Sequence, residues 1–188
     1  MTVAGIIAAG HGERLKGAHP GLPKPLVEVG GHPLVWWVVS GLRAAGVREI
    51  TLLHNSEGDA VRPWLRQAFP DMRWVFLRED TPSSWESFRL VAHALAGRSH
   101  EFLMSTVDAV AAPADWRRFA AEALSPADGR TPDAAMALTE FVDDEKPLWA
   151  DLGPNGLLTA LGENARVRRY VTCGLYAMTR AAAEALPP

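Results

Sequence analysis

Short apolar runs alternate with longer amphipathic segments along residues 3–124. The run at 3–9 is almost wholly apolar and leads into a glycine, which is typical of a buried strand. A helical pattern follows later, with Pro33 suited to its first turn and Gly46 to its stop. This alternation predicts strands at 3–9, 49–54, 73–77 and 101–107, and helices at 33–45, 58–69, 84–96 and 114–124.

The pattern changes after residue 134, where apolar runs follow one another directly. The tetrad Gly-Pro-Asn-Gly at 153–156 is a strong turn signal between two of these runs. Strands are predicted at 134–141, 148–152, 157–161 and 171–178, with a helical segment at 179–186. Alternating strands and helices indicate parallel crossovers. We therefore expect a three-layer α/β/α sandwich with a mostly parallel, Rossmann-like sheet and some late antiparallel strands.

Composition and charge narrow the class of protein. A chain of 188 residues, 48% hydrophobic and 22% charged, suits one soluble globular domain. The net charge of −3 gives no support for nucleic acid or a membrane surface as a partner, and no apolar run has the length of a membrane span. The single cysteine, Cys173, excludes an intramolecular disulfide. The start lacks the basic segment of a signal peptide, so we expect a cytoplasmic protein. Composition leaves its oligomer state open.

Candidate chemistry is concentrated where the first strand ends. Residues 8–15 read Ala-Ala-Gly-His-Gly-Glu-Arg-Leu, and these glycines let backbone N–H groups approach a phosphate chain closely. Arg14 can hold phosphate oxygens by a planar two-point contact, and Lys24, between two prolines, supplies a compact charge. Parallel sheets bind ligands at this end of their strands. The alternative is a glycine-rich turn with solvated charges, since neither a dinucleotide fingerprint nor a Walker loop is present.

Residues 8–53 resemble the N-terminal signature of the nucleoside-diphosphate-sugar pyrophosphorylases, which are sugar-1-phosphate nucleotidyltransferases. The elements Ala-Ala-Gly-x-Gly-x-Arg-Leu, Pro-Lys-Pro-Leu-x-x-Val-x-Gly-x-Pro-Leu and a helix ending Ala-Gly occur in that order. The resemblance implies that Arg14 binds the phosphates that leave as pyrophosphate, and that Lys24 binds phosphate near the reacting centre. It also implies nucleotide contacts from four small residues of the loop, Ala8, Ala9, Gly10 and Gly12.

Two further positions acquire roles through the resemblance. Asp108 follows an apolar strand, where the family has an aspartate that holds the catalytic Mg²⁺. The family more often has glycine before that aspartate, and Val107 stands there in this chain. Helix capping or simple exposure is the alternative for Asp108. Ser84 or Ser87 falls where the family opens a helix beneath the nucleotide, and helix N-capping explains either serine equally well.

The acceptor region follows the family pattern more loosely. The family has a Glu-Lys-Pro motif after a strand–turn–strand unit, whereas Glu145-Lys146-Pro147 precedes that unit in this chain. We therefore align Glu163 with the family's glutamate, where it would bind sugar hydroxyls, and Asn164 then replaces the lysine. Gly174 would let the sugar approach the backbone. Three nearby arginines could compensate for the lost lysine charge, and the alternative is that they only form a solvated face. They are Arg166, Arg168 and Arg169.

The resemblance implies transfer of NMP from an NTP to a sugar-1-phosphate or similar small molecule, with Mg²⁺ as cofactor. The family normally continues beyond the last strand and supplies a second metal-binding aspartate, whereas this sequence stops at Pro188. We therefore expect a truncated nucleotidyltransferase domain, or a second ligand from elsewhere. Two alternatives stay open. One is a nucleotidyltransferase for a phosphocholine-type or molybdopterin-type acceptor, and the other is a nucleotide-binding module without turnover.

Overall fold

A computed structural model describes residues 1–12, 15, 17, 19–126, 130–142 and 147–187. Its strands are β1 (Val3–Ala8), β2 (Glu28–Val29), β3 (His32–Pro33), β4 (Glu49–His54), β5 (Arg73–Arg78), β6 (Glu101–Thr106), β7 (Ala134–Thr139), β8 (Trp149–Leu152), β9 (Leu158–Leu161) and β10 (Tyr170–Thr179). Its helices are α1 (Leu34–Ala44), α2 (Val61–Ala68), α3 (Ser84–Ala96), α4 (Pro113–Glu122) and α5 (Arg180–Glu184).

Eight of these strands form one mixed sheet with the order β5-β4-β1-β6-β10-β8-β9, and β7 pairs with β10 as well. Strands β5, β4, β1 and β6 are parallel to one another. From β10 onward every pairing is antiparallel. The predicted sandwich, with a parallel sheet followed by late antiparallel strands, is confirmed.

Apolar side chains cover both faces of the sheet and separate the helices into two layers. On one face, α1, α2 and α4 pack through residues such as Val38, Leu65 and Trp116. On the other face, α3 and α5 pack through residues such as Val91 and Ala183. The result is the expected order of helices, sheet and helices. No helix in the part of the chain described above is long and apolar enough to cross a membrane.

The predicted elements differ from the structure mainly at their ends. The helix predicted at 58–69 begins only at Val61, because residues Ser56–Gly58 form a separate 3-10 turn. That turn is capped by Asn55, whose side-chain oxygen accepts a hydrogen bond from the Glu57 N–H group. The short β2–β3 hairpin was not predicted, since two residues per strand are too few to give an alternating pattern.

Candidate active site

Three loops of the candidate site begin at the same edge of the sheet. Strand β1 pairs along its length with β4, and its last residue, Ala8, lies opposite His54. On its other side, Ile7 lies opposite Thr106 at the end of β6, and the Val107 N–H group donates to the Ile7 carbonyl at 3.1 Å. Because the three strands are parallel, the chain leaves all of them at one edge. The glycine-rich loop that follows β1, called the signature loop below and described as far as Gly12, is therefore brought to the same place as Asp108.

An ion pair joins two of the predicted site residues across this edge. The Lys24 ammonium group donates a hydrogen bond to the Asp108 carboxylate, although 84 positions separate them in sequence. The Lys24 side chain is 24% exposed and the Asp108 side chain 46% exposed. Both charged groups thus remain accessible to a ligand from solvent. The structure brings together the residues that the sequence proposed for phosphate and for metal.

The backbone around Lys24 is fixed by a short turn. In the 3-10 turn Lys24–Leu26, the Leu26 N–H group donates to the Pro23 carbonyl at 2.8 Å, and the Val27 N–H group donates to the Lys24 carbonyl at 3.1 Å. Pro25 is buried, and the Val27 carbonyl accepts from Leu34 at the start of α1. Prolines fix φ, so the two that flank Lys24 limit the positions its backbone can take.

Gly12 brings the signature loop onto the Lys24 side chain. Its φ is +60°, a conformation that side-chain-bearing residues rarely adopt, and a Cβ built on it would lie 3.0 Å from Lys24 Cβ. Ala8 and Ala9 are buried, and their nucleotide contacts stay predictions. Gly10 is exposed. Arg14 lies outside the described residues, and its role stays a prediction.

Opposing effects set the charge of Asp108. Partial burial raises the pKa of this carboxyl group, but the nearby Lys24 charge and its hydrogen bond, with a hydrogen bond from Thr106, outweigh burial and lower the pKa below its ordinary value. The carboxylate is therefore ionised at neutral pH. An ionised, accessible carboxylate at a strand end is a suitable oxygen ligand for Mg²⁺.

The start of α3 separates the serines that the sequence left as alternatives. Ser83 is the N-cap, and its hydroxyl accepts from the Glu86 N–H group at 3.1 Å. Ser87 is buried, and its hydroxyl bonds to Thr81 and to the Ser83 carbonyl. The N-cap is therefore Ser83, so the alternative that Ser84 or Ser87 caps this helix is wrong, and the internal bonds account for Ser87. Ser84 is exposed at the first helical position, and its nucleotide contact stays a prediction.

Gly174 lies at a bulge in β10, close to the end of β6. Its φ is +77°, and a Cβ built there would lie only 2.2 Å from Thr106 Oγ1. The pairing of β10 with β7 shifts register between Thr172 and Tyr176 around this glycine. Gly174 therefore allows β10 to approach the strand that ends at Asp108. The structure adds this packing reason for the glycine, and its contact with an acceptor stays a prediction.

Glu163 lies in the exposed 3-10 turn Gly162–Asn164, after β9. No hydrogen bond or ion pair within the described ranges joins it to Lys24 or Asp108, so its role at the acceptor stays a prediction. Lys146 lies outside those ranges. Of the three nearby arginines, Arg169 is paired with Glu140 at 2.6 Å, while Arg166 and Arg168 have exposed side chains.

Two polar residues with clear structural roles were missed in the sequence. Asp151 is only 8% exposed, and its carboxylate accepts backbone N–H groups from Arg166 at 2.6 Å, Val167 at 3.1 Å and Arg168 at 3.3 Å. Asn55 is buried at the end of β4 and bonds to the signature loop. A polar residue directly after an apolar strand was the available signal for Asn55. For Asp151 the partners come from a distant turn, which no local pattern shows.

Comparison with known families decides the class of protein. Residues 4–176 match the family model described as the MobA-like NTP transferase domain. The chain belongs to this family. The resemblance to nucleotidyltransferases noted in the sequence is thereby confirmed, and the matched range of this NTP transferase domain contains Lys24, Asp108, Glu163 and Gly174.

Curated relatives of the NTP transferase domain include a synthase and a uridylyltransferase. The chain is 30% identical over 167 residues to CMP-5'-(3-aminopropyl)phosphonate synthase of Streptomyces rubellomurinus, which covers 82% of the chain and 27% of that protein. It is 45% identical over 49 residues to N-acetylmuramate alpha-1-phosphate uridylyltransferase of Neisseria meningitidis, covering 26% of the chain and 21% of that protein. The chain thus spans about a quarter of the length of these relatives.

Solved structures share the fold of the NTP transferase domain. The inositol-1-phosphate CTP transferase from T. maritima superposes with a TM-score of 0.81 at 18% identity, covering 98% of the chain and 73% of that protein. A UDP-glucose pyrophosphorylase complexed with UDP-glucose gives a TM-score of 0.75 at 13% identity, covering 98% of the chain and 78% of that protein. At these identities the superpositions establish the architecture, and the chemistry rests on the site.

Proposed function

We propose that this domain transfers NMP from an NTP to a sugar-1-phosphate, or to a similar phosphate-bearing acceptor, and releases pyrophosphate. One observation carries the proposal. Lys24 and Asp108 meet at the edge of the sheet where the glycine-rich loop leaves β1. A cation, an ionised carboxylate and accessible backbone N–H groups are the parts needed to hold a triphosphate with its metal.

The proposed reaction needs positioning and neutralisation of charge more than acid–base catalysis. An oxygen of the acceptor phosphate attacks the α-phosphorus in line. The bond from the α-phosphorus to the bridging oxygen breaks, and its electron pair leaves with pyrophosphate. The acceptor oxygen is already anionic, so no base is required. Lys24 would stabilise negative charge on the transferring phosphate, and the loop from Ala8 to Gly12 would orient the chain of phosphates. Arg14 is proposed to bind the β- and γ-phosphates.

The carboxylate present fits a magnesium ion that arrives with the nucleotide. Mg²⁺ prefers oxygen ligands and is commonly held by one or two carboxylates together with substrate phosphates. No cluster of three or more His, Cys, Asp or Glu side chains suited to a metal occurs among the described residues. Asp108 would therefore be the protein ligand, with phosphate oxygens and water completing the shell. When bound, Mg²⁺ neutralises phosphate charge.

The acceptor is proposed to carry a phosphate or phosphonate group. The two acceptor classes proposed are sugar-1-phosphates and phosphonates. The names of the relatives include a sugar phosphate, an inositol phosphate and an aminoalkyl phosphonate. A sugar-1-phosphate agrees with Glu163 as a ligand for hydroxyl groups. The phosphonate class is favoured by the relative that matches 82% of the chain.

A panel of nucleotides and acceptors tests this function. Each of ATP, CTP, GTP, UTP and dTTP would be mixed with Mg²⁺ and with glucose-1-phosphate, inositol-1-phosphate or 3-aminopropylphosphonate, and pyrophosphate release measured. We expect release that depends on both the acceptor and one preferred base. Tight NTP binding without product from any acceptor would instead support a nucleotide-binding module.

A further inference from the structure

Asn55 links the loop after β1 to the turn after β4. Its side chain is 4% exposed and uses both ends of the carboxamide group. The Oδ1 atom accepts from the Glu57 N–H group at 3.1 Å, and the Nδ2 atom donates to the Ala9 carbonyl at 3.1 Å. Nδ2 also lies 3.4 Å from His11 Nδ1. One buried side chain thus contacts the signature loop at two of its residues.

The chemistry of the partners fixes the orientation of this amide. A backbone N–H group faces one end, and only an oxygen can accept from it. A backbone carbonyl faces the other end, and only the NH₂ group can donate to it. A flipped amide would place like groups against each other at both ends. The donor therefore faces the signature loop, and the acceptor faces the Ser56–Gly58 turn.

The turn that carries Asn55 is itself anchored to the neighbouring strand. Ser56 donates to Asp80 Oδ1 from its backbone N–H group and from its hydroxyl, both at 3.0 Å. Asp59 pairs with Arg78 at 3.2 Å, at the end of β5. Asn55 therefore projects from a turn that is held at two points. A donor on such a base can restrict the loop it bonds to, since the base does not move with the loop.

We propose that Asn55 is a positioning residue for the nucleotide. Its Nδ2 donor holds the Ala9 carbonyl, so that the following backbone N–H groups, from Gly10 to Gly12, face the triphosphate. Its Oδ1 acceptor has a separate role, which is to cap the 3-10 turn. The assignment rests on the proposed function of the same site. It requires that removing the donor alone weakens nucleotide binding while the turn stays intact.

Two substitutions and a control separate the two ends of the side chain. Asn55→Asp has nearly the same shape and keeps the acceptor, but it removes the donor and places a carboxylate against the Ala9 carbonyl. Asn55→Ala removes both ends. Ser56→Ala is the matched control, since it removes a side-chain bond from the same turn without touching the signature loop. Each protein would be titrated with Mg²⁺ and the preferred NTP, and amide hydrogen exchange would be followed without nucleotide.

The expected result is a tenfold or greater loss of NTP affinity in both Asn55 variants, because a buried carbonyl loses its donor. In Asn55→Asp, exchange should speed up over residues 9–12 and stay near wild type over 56–59. The KM for the NTP should rise while the KM for the acceptor stays unchanged, which a purely structural role would not produce. Ser56→Ala should match wild type in all of these measurements.

Three outcomes would overturn the assignment. Wild-type NTP binding by Asn55→Asp would make Asn55 a cap only. Loss of the folded state in both variants would show that Asn55 acts in folding and that its two ends are not separable. Unchanged exchange over residues 9–12 would show that the donor does not restrict the loop. If the wild-type chain itself fails to bind any NTP, the proposed function fails, and the exchange experiment still decides whether Asn55 holds the loop.

Discussion

The parallel and antiparallel halves of the sheet use their carboxylates in different ways. In the parallel half, Asp108 lies just after β6, its side chain is half-exposed, and it pairs with a lysine from a distant loop. In the antiparallel half, Asp151 is buried and its carboxylate is bound by three backbone N–H groups of one turn. The first carboxylate stays accessible to a ligand, whereas the second is committed to local structure. The nucleotide chemistry is therefore expected in the parallel half.

Removing the Lys24 charge should give the largest loss. Lys24→Ala is expected to lower kcat about 10²–10³-fold, by analogy with the loss of one preorganised donor to a transition state. The fold should persist, because backbone hydrogen bonds and the flanking prolines hold this turn. Steady-state pyrophosphate release, with circular dichroism, would measure both effects. Arg43→Ala, which breaks an exposed ion pair with Asp71, is the control. A wild-type rate in Lys24→Ala would contradict the assignment.

The contact between the two halves is tested at Gly174. Gly174→Ala should destabilise the chain by about 1–3 kcal/mol, because a Cβ would meet Thr106 and the backbone has a positive φ. Urea unfolding would give the free-energy difference. Gly97→Ala is the matched control, since the nearest atom to its Cβ is 3.7 Å away and its φ is −69°. Equal stability of the two variants would show that β10 does not depend on this close approach.

The stability that the Asp151 carboxylate gives to the fold should be lost at low pH. The backbone N–H group of Arg166, followed by those of Val167 and Arg168, lowers the pKa of this carboxyl group below its ordinary value. A lowered folded-state pKa stabilises the fold above the unfolded pKa of about 3.9, and this stability is lost as pH falls through the folded pKa. Asp151→Asn should therefore melt a few degrees below wild type at pH 7.

The difference in melting temperature between Asp151→Asn and wild type should shrink as the pH is lowered below about 4. The exposed Asp115, paired with Arg118 on α4, provides the comparison, and Asp115→Asn should differ little from wild type across this range. If the difference in melting temperature between Asp151→Asn and wild type stays constant down to low pH, the charge on the Asp151 carboxylate does not stabilise the turn.

The smallest effects are expected at the acceptor side. Glu163→Ala should raise the KM for a sugar-1-phosphate roughly fivefold, the loss of about one hydrogen bond, and leave the KM for the NTP unchanged. Lys146→Ala should change neither constant, because it precedes the β8–β9 unit in the sequence. Steady-state kinetics with both substrates would rank the two variants. The opposite ranking would show that the Glu-Lys-Pro segment at 145–147, and not Glu163, corresponds to the family motif.

Much of the fold followed from local patterns. Strand and helix order was predictable because apolar periodicity depends on neighbouring residues, and the parallel half followed from alternation. The pairing of β10 between β6 and β7 was not predictable, since antiparallel neighbours can be distant in sequence. The end of α2 nearest β4 was misplaced because the Asn55 cap depends on one side-chain contact.

Residues of the candidate site could be proposed from the sequence where a motif and a strand end coincide. Lys24 and Asp108 were both assigned from sequence, and the structure supplies what no pattern gives, which is that they touch. The packing of Gly174 on Thr106 arises from tertiary contact between strands far apart in the chain. Asn55 was missed for the same reason, since its side chain bonds to the Ala9 carbonyl, 46 positions away in the sequence.

Calorimetric titration of the preferred NTP, with Mg²⁺ and with EDTA, tests the central claim most directly. Wild type and Asp108→Asn would be compared, since the substitution keeps the shape of the side chain and removes its charge. We predict that Mg²⁺ strengthens NTP binding in wild type, that Asp108→Asn loses most of this enhancement, and that binding in EDTA is nearly equal in the two proteins. Equal enhancement by Mg²⁺ in both proteins would contradict the assignment of Asp108 as the metal ligand.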